Sequence, residues 1–334
     1  MMRIGVIGAG SWGTTLANVL AKKGFDVTLW VYEKELAERL KATRTNHLYL
    51  DRITLATNLA YTNNLVEAVA GRQVLILVSP SQVMRRVLKQ LAPHLEADSL
   101  LVSAAKGIEN DTLMTMSEVL PEVLGPQILQ RSAYLSGPSF AREVAEEQPT
   151  AVAVASADLS VAHRIQELFS TDYFRVYTNQ DVVGIEIGGA LKNVIALASG
   201  VGDGLGFNHN ARAALITRGL VEIARLGVAK GANEATFYGL AGMGDLVLTC
   251  TGDLSRNRSV GIELGRGRKL EDILNKMNMV AEGVKTTLSA YQLALKLGVV
   301  MPITEQMYQI LYENKDPKVA VVDLMQRALT SEDD

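Results

Sequence analysis

The run Ile185-Glu-Ile-Gly-Gly-Ala-Leu-Lys-Asn-Val-Ile-Ala-Leu-Ala-Ser199 carries a single lysine, Lys192, in a segment that offers no solvent face. On a helical projection Lys192 lies with Ile185, Gly188, Gly189, Ile195, Ala196 and Ser199, while Ile187, Leu191, Val194 and Leu197 fill the other faces. A buried ammonium is costly, so it snorkels out, pairs with a carboxylate such as Glu186, or serves chemistry that needs its charge. The chemistry in question is acid catalysis: an amine on a rigid buried helix stabilises an oxygen that gains negative charge and gives it a proton. Four polar clusters are available to surround it. Ser103-Ala-Ala-Lys106-Gly107 and Ser136-Gly137-Pro138-Ser139-Phe140-Ala141 each follow a strand-like run, and Gly239-Leu-Ala-Gly-Met-Gly-Asp245 delivers one carboxylate after a flexible glycine segment. If Asp245 lies close to Lys192, it raises an amine pKa that burial lowers, and the pair tunes the acid. Ser255-Arg256-Asn257-Arg258-Ser259 opens a helix, and its backbone donors, guanidinium fork and amide suit a phosphate dianion. Each cluster also has a purely structural reading: a solvated loop lysine at 106, caps at Ser139 and Asp245, and a capped first turn at Ser255.

These side chains must be held by the elements around them. Ile4 to Ile7 is a short apolar strand that meets Gly8-Ala9-Gly10-Ser11-Trp12-Gly13, after which residues 14–23 have helical spacing. In that context Gly8 permits the tight turn, Gly10 admits a pyrophosphate to the backbone and Gly13 lets helix and strand pack, the pattern of a dinucleotide site. Further strands are expected at 26–31, 74–78, 100–103, 134–136, 151–155 and 174–177, with helices near 33–43, 81–91, 112–120, 138–146 and 159–169. This alternation specifies an α/β fold with a mostly parallel, doubly wound sheet. From Ile185 onward only helices are expected, near 185–200, 209–229, 256–265, 283–297, 303–312 and 317–328. The alternating glycines of GVGDGLG, at 200 to 206, read as helix breakers, because a second nucleotide motif would need a strand before it. The division is therefore residues 1–184, a dinucleotide-binding domain, and 185–334, a helical substrate-binding domain, with the substrate enclosed between them.

Composition narrows the classes. A formal net charge of -3, with no basic tract, gives no reason to expect a nucleic acid. The single cysteine, Cys250, excludes an internal disulfide and a cysteine-rich metal site and fits a reducing compartment. None of the four histidines falls at metal spacing or beside a convergent charge, so no metal is expected. The N-terminus does not read as a signal peptide, and charges and glycines interrupt the longest apolar stretch. A cytoplasmic protein without membrane insertion is expected. Glu33, slightly past the place of a ribose-binding acid, leans the cofactor towards NAD, though it also suits a first helical turn.

GVIGAGSWGTTLA, SAAKGIE, SGPSFA, GALKNVIALASGVGDGLG, GLAGMGDLVLTC, SRNRSVG and MVAEGVKT occur in this order across nearly the whole chain. Together they resemble the NAD(P)-dependent glycerol-3-phosphate dehydrogenases of the bacterial soluble type. The resemblance implies a Rossmann domain followed by an all-helical C-terminal domain, NAD or NADP as cofactor, and a homodimer. It implies reversible reduction of dihydroxyacetone phosphate to sn-glycerol 3-phosphate, a precursor of membrane phospholipids. It makes Lys192 the proton donor and acceptor, with Lys106 and Asp245 beside it. Gly137, Ser139, Ser255, Arg256 and Asn257 would hold substrate, and Gly8, Gly10, Ser11, Trp12, Gly13, Lys106, Ala141, Arg256, Val280 and Glu282 would contact the cofactor. The segment Trp30-Val31-Tyr32-Glu33 departs from the arginine- or histidine-bearing versions of NADP-preferring members. Two other readings are a related reductase of a hydroxy acid and a nucleotide-sensing protein without turnover.

Overall fold

A computed structural model describes residues 1–277 and 281–332. Eight strands form one sheet: β1 Arg3–Ile7, β2 Asp26–Trp30, β3 Leu59–Thr62, β4 Val74–Leu77, β5 Leu100–Ser103, β6 Ser132–Ser136, β7 Thr150–Ala155 and β8 Phe174–Asn179. Their order is β3-β2-β1-β4-β5-β6-β7-β8, and every neighbouring pair is parallel except β6 with β7. The apolar runs alternate in the direction they face. Ile4, Val6, Val74, Ile76, Leu100 and Val102 enter one core, while Ile7, Leu75, Leu77 and Leu101 enter another. Both faces are therefore covered, which explains strands without a polar side.

β3 was not expected from the sequence. Its four residues, Leu-Ala-Tyr-Thr, include an exposed Ala60, and hydrogen bonding to β2 rather than local pattern makes them a strand. Register aligns Ile7 with Trp30 and with Leu77, and Leu77 with Ser103. The carboxyl ends of β1, β2, β4 and β5 therefore share one edge. Gly8, Glu33 and Lys106 all follow strands that end there. The helix expected at 14–23 begins earlier, at Ser11, directly behind Gly10, and ends at Lys22.

All described elements from Val182 onward are helical. The helix bearing Lys192 runs Val182–Gly204, three residues earlier and four later than expected, and Asp181 caps it by accepting from the Gly184 N–H at 2.8 Å. Gly200, Gly202 and Gly204 thus sit inside the helix, and the chain turns only after them. Gly200 and Gly204 serve packing: a Cβ on Gly200 would overlap the Arg258 carbonyl and lie 2.9 Å from the Gly261 Cα, and Gly204 meets Ile262 and Gly265 in the same way. The reciprocal pair Gly261 and Gly265 lets the helix Arg256–Gly265 cross in backbone contact.

This central helix is long and apolar enough, by length and composition, to cross a membrane, contrary to the sequence expectation, yet 78% of its most apolar window is buried in the protein. The other long helices are His209–Ala229, Glu282–Leu297 and Pro302–Tyr312, close to expectation, with Pro317–Met325 ending three residues short. A one-turn helix at Leu270–Leu274 was not anticipated. At the C-terminal end of the described residues the Glu332 carbonyl accepts from Arg218 Nη1 at 2.8 Å.

Candidate active site

Lys192 is 7% exposed and Asp245 is fully buried. The Lys192 ammonium donates to Asp245 Oδ1, and Lys106 Nζ donates to Asp245 Oδ2 at 2.7 Å. One carboxylate thus joins a lysine from the central helix to a lysine from the loop after β5. Asp245 is not a cap: the chain enters through a π-helical turn at Leu240–Gly244, and Asp245 is the first residue of the helix Asp245–Thr251. Thr249, one turn on, donates its hydroxyl to the Asp245 carbonyl at 2.6 Å. Glu186 is not the lysine's partner. It accepts the Ser117 N–H at 3.1 Å, and burial pushes its carboxyl up to about 7.

Burial also drives the Lys192 amine down to about 7, against the pull of Asp245 and with the help of the Lys106 charge. A second, partly buried carboxyl faces this group. Glu282 opens the helix Glu282–Leu297, and burial raises its pKa in spite of the positive charges of Arg256, Lys106 and Lys192. The cluster therefore holds two lysines and one carboxylate in hydrogen-bond contact, with Glu282 and Arg256 in its field. Buried Cys250 lies within the field of Lys192, and burial takes its thiol up to about 12, so it does not compete as a nucleophile.

Neighbouring positions are brought together as the motifs suggested. Lys106 Nζ also reaches towards the Gly137 carbonyl at 3.5 Å. Ser139 donates to the same carbonyl at 3.0 Å, and it is not the cap of the following helix, which spans Ala141–Ala145 with Phe140 before it. Thr15 donates to the Ala141 carbonyl at 3.0 Å, fixing that residue against the helix Ser11–Lys22. Gly189 lies one turn before Lys192, and a side chain there would overlap Ser136 Oγ, so β6 approaches the helix closely. Ser255 does cap its helix, accepting from Arg258 N at 3.2 Å. Asn257 is 8% exposed and spans two elements, donating to Asn193 at 2.9 Å and accepting from Gly283 N at 2.9 Å. Val280 lies outside the described residues.

The glycine turn fits a dinucleotide. Gly8 has φ +121, open to glycine, and a Cβ there would press on the backbone of Val78 and Ser79. Gly10 has nothing within 4 Å of a notional Cβ, leaving room for a pyrophosphate, and Gly13 would collide with the Gly8 carbonyl if it bore a side chain. Ser11 begins the helix, and Trp12 packs against Phe174 with ring centroids 6.3 Å apart. Two buried hydroxyls near the same edge, Ser103 and Ser136, have no protein partner among the described residues.

Sequence reasoning missed the braces of these groups. Tyr49 donates its hydroxyl to Glu33 at 2.8 Å, and Asn46, itself buried, donates to the Ala9 carbonyl at 2.9 Å while accepting from Tyr49 N at 3.1 Å. These residues lie in a segment without periodic pattern, and nothing local marks them. Gln82 and Arg85 were missed although they lie in the expected helix 81–91, because their partners Ile108, Glu109 and Asn110 sit on an irregular loop distant in sequence. The only signal was the arginine–glutamate charge pair across 24 residues.

A pyrophosphate-shaped glycine turn facing a lysine–carboxylate cluster across one sheet edge defines an NAD(P)-dependent oxidoreductase. The particular kind follows from comparison with known proteins. The chain belongs to the NAD-dependent glycerol-3-phosphate dehydrogenase family, whose N-terminal model matches residues 3–162 and whose C-terminal model matches 181–322. A glycerol-3-phosphate dehydrogenase [NAD(P)+] of Syntrophotalea carbinolica is 67% identical over 100% of both chains. Another from Geobacter metallireducens is 66% identical over 97% of each. The crystal structure of the Coxiella burnetii glycerol-3-phosphate dehydrogenase superposes with a TM-score of 0.94 at 39% identity, covering 98% of this chain and 99% of that one.

Proposed function

We propose that this chain reversibly reduces dihydroxyacetone phosphate to sn-glycerol 3-phosphate, within a dinucleotide-binding domain of residues 1–184 and a helical domain of 185–334. The observation that carries the reading is the contact of Lys192 and Lys106 with the two oxygens of Asp245. A nicotinamide cofactor held at the Gly8–Gly13 turn would supply the hydride in one direction and accept it in the other. Lys192 donates a proton to the oxygen that gains negative charge, and its lowered pKa makes that donation inexpensive near neutral pH. Asp245 holds the amine in place and keeps it protonated against burial, while Lys106 adds positive charge at the same oxygen. Arg256, at the first position of the helix Arg256–Gly265, joins helix-terminal N–H groups in holding the phosphate. Gly137, Ser139, Ser255 and Asn257 shape the substrate side. Gly8, Gly10, Ser11, Trp12, Gly13, Ala141 and Glu282 line the cofactor side. The product would feed glycerophospholipid synthesis, and a cytoplasmic homodimer is the working form.

The deciding experiment follows NADH and NADPH absorbance separately, with dihydroxyacetone phosphate and with an unphosphorylated keto acid. Turnover confined to the phosphorylated ketone supports the reading; preference for the keto acid overturns it in favour of a hydroxy-acid reductase, and binding without turnover in favour of a sensor.

Acidity gives a second check. Reduction consumes the Lys192 proton, so its kcat is fully expressed below the amine pKa of about 7 and falls as pH rises through it. Oxidation needs the neutral amine and climbs over the same interval. Parallel profiles in both directions would contradict the assignment.

Cofactor choice rests on Glu33. A carboxylate at the end of β2 accepts the ribose hydroxyls of NAD and repels the 2′-phosphate of NADP, and Tyr49 holds it in place. Glu33→Ser is expected to cut the ratio of NADH to NADPH affinity by about tenfold or more, measured by fluorescence titration. An unchanged ratio would remove Glu33 from the selection.

A further inference from the structure

We infer that Gln82 and Arg85, on the helix Ser81–Leu91, are positioning residues that set Lys106 against Asp245 by clamping the four residues after it. The loop from Ala104 to Thr115 leaves β5, delivers Lys106 and then departs from any regular element. A lysine on such a segment would normally lose rotamer and backbone freedom on every docking event. Here the next residues are pinned one by one. Gly107 has φ +130, and a Cβ there would lie 2.5 Å from Ser81 Oγ, so the loop runs flush against the helix start. Gln82 uses both ends of its amide, donating to the Ile108 carbonyl at 2.7 Å and accepting from Asn110 N at 3.0 Å. Arg85, one turn further along, grips Glu109 through Nε at 3.0 Å to each carboxylate oxygen and through Nη2 at 2.8 Å.

The fork is itself held. Arg85 Nη2 also donates to Glu122 at 2.9 Å, and Thr112 donates to Glu109 at 2.6 Å. Burial alone would raise the Glu109 carboxyl, but Arg85 and Thr112 outweigh it and hold it below the ordinary carboxylate range. Ile108 points the other way. It is fully buried in the helical core with Ile187, Ala190 and Leu191. The loop is thus tied to a helix beside the sheet by 82 and 85 and to the helical core by Ile108, with Lys106 two residues before that plug. Neither Gln82 nor Arg85 touches the cluster, so any influence passes through Lys106.

This inference rests on the proposed role of Lys192 as the acid, and it predicts how that acid changes when the clamp is opened. The groups facing Lys192 are Asp245 and Lys106 in contact, Glu282 and Cys250 in its field, and Arg256 beside Glu282. Withdrawing Lys106 removes a positive charge and leaves Asp245 to Lys192 alone; both changes raise the amine pKa.

The test compares Gln82→Ala and Arg85→Met with wild type in kcat for triose phosphate reduction across pH and in NADH affinity by fluorescence. Expected are a kcat lower by about 10- to 100-fold, an alkaline limb displaced upward by about half a pH unit or more, and NADH affinity within about twofold. In a double-mutant cycle, Gln82→Ala added to Lys106→Ala should cost no more than Lys106→Ala alone. An unmoved alkaline limb, or fully additive losses, overturns the clamp. Gln82 is neutral and partly exposed, so its variant keeps the test open should Arg85→Met fail to fold. Wild-type turnover in the same assay reports separately on the proposed function: if wild type is inactive that reading fails, whereas an active wild type with unshifted variants sinks only the clamp.

Discussion

Lys192→Ala is expected to lose at least about 10³-fold in turnover while NADH still binds with nearly its original affinity. The size follows from the two roles proposed for this amine, proton transfer and stabilisation of the charge on the substrate oxygen. Binding survives because the glycine turn after β1, not the central helix, receives the pyrophosphate. The replacement also leaves Asp245 buried with Lys106 as its partner at 2.7 Å, so the carboxylate is not stranded and the fold should hold. Steady-state kinetics beside a cofactor titration decide it. Substantial remaining activity would mean that the lysine is a structural partner of Asp245 and that the proton comes from elsewhere.

The largest effect on stability is expected at Gly200→Val. A side chain at that position meets the Arg258 carbonyl and the Gly261 Cα, which are backbone atoms of a packed helix and cannot rotate away. The two helices must separate or bend, at a cost of about 3 kcal/mol or more and a Tm lower by about 5 °C or more. Gly202 supplies the control. Its nearest neighbour is Phe207 at 3.8 Å, so Gly202→Ala should be tolerated and gain about 0.5–1 kcal/mol from helix propensity. Equal behaviour of the two variants in thermal melts would show that the crossing does not depend on glycine.

These glycines also show where the sequence was opaque. Every second residue from 200 to 206 is glycine, and local propensity ends the helix there, whereas contact with 258–265 carries it on to Gly204. Tertiary packing overrode propensity, and no single-segment rule contains that information. β3 escaped for a related reason, being a strand only by virtue of β2 beside it. The candidate site was far more legible. Lys192 stood out because burial and charge conflict within one stretch, and the glycine hexad carries its whole mechanism in six consecutive positions. Asp245 looked equally like a cap until the fold brought it to both lysines. Tyr49, Gln82 and Arg85 act across 16 to 26 residues of chain through ordinary polar side chains, and only the folded backbone reveals their partners.

The central helix belongs to two cores at once. Ile185 is packed with Leu75, Leu77 and Leu101 of the sheet, whereas Ile187 and the apolar residues after it form the heart of the helical cluster. Lys192 is therefore mounted on the beam common to both halves. The helical cluster and the core on one sheet face both close on that beam, so its displacement on heating should open those two cores together and carry the Lys192 amine out of place, while the core on the other sheet face contains none of its residues.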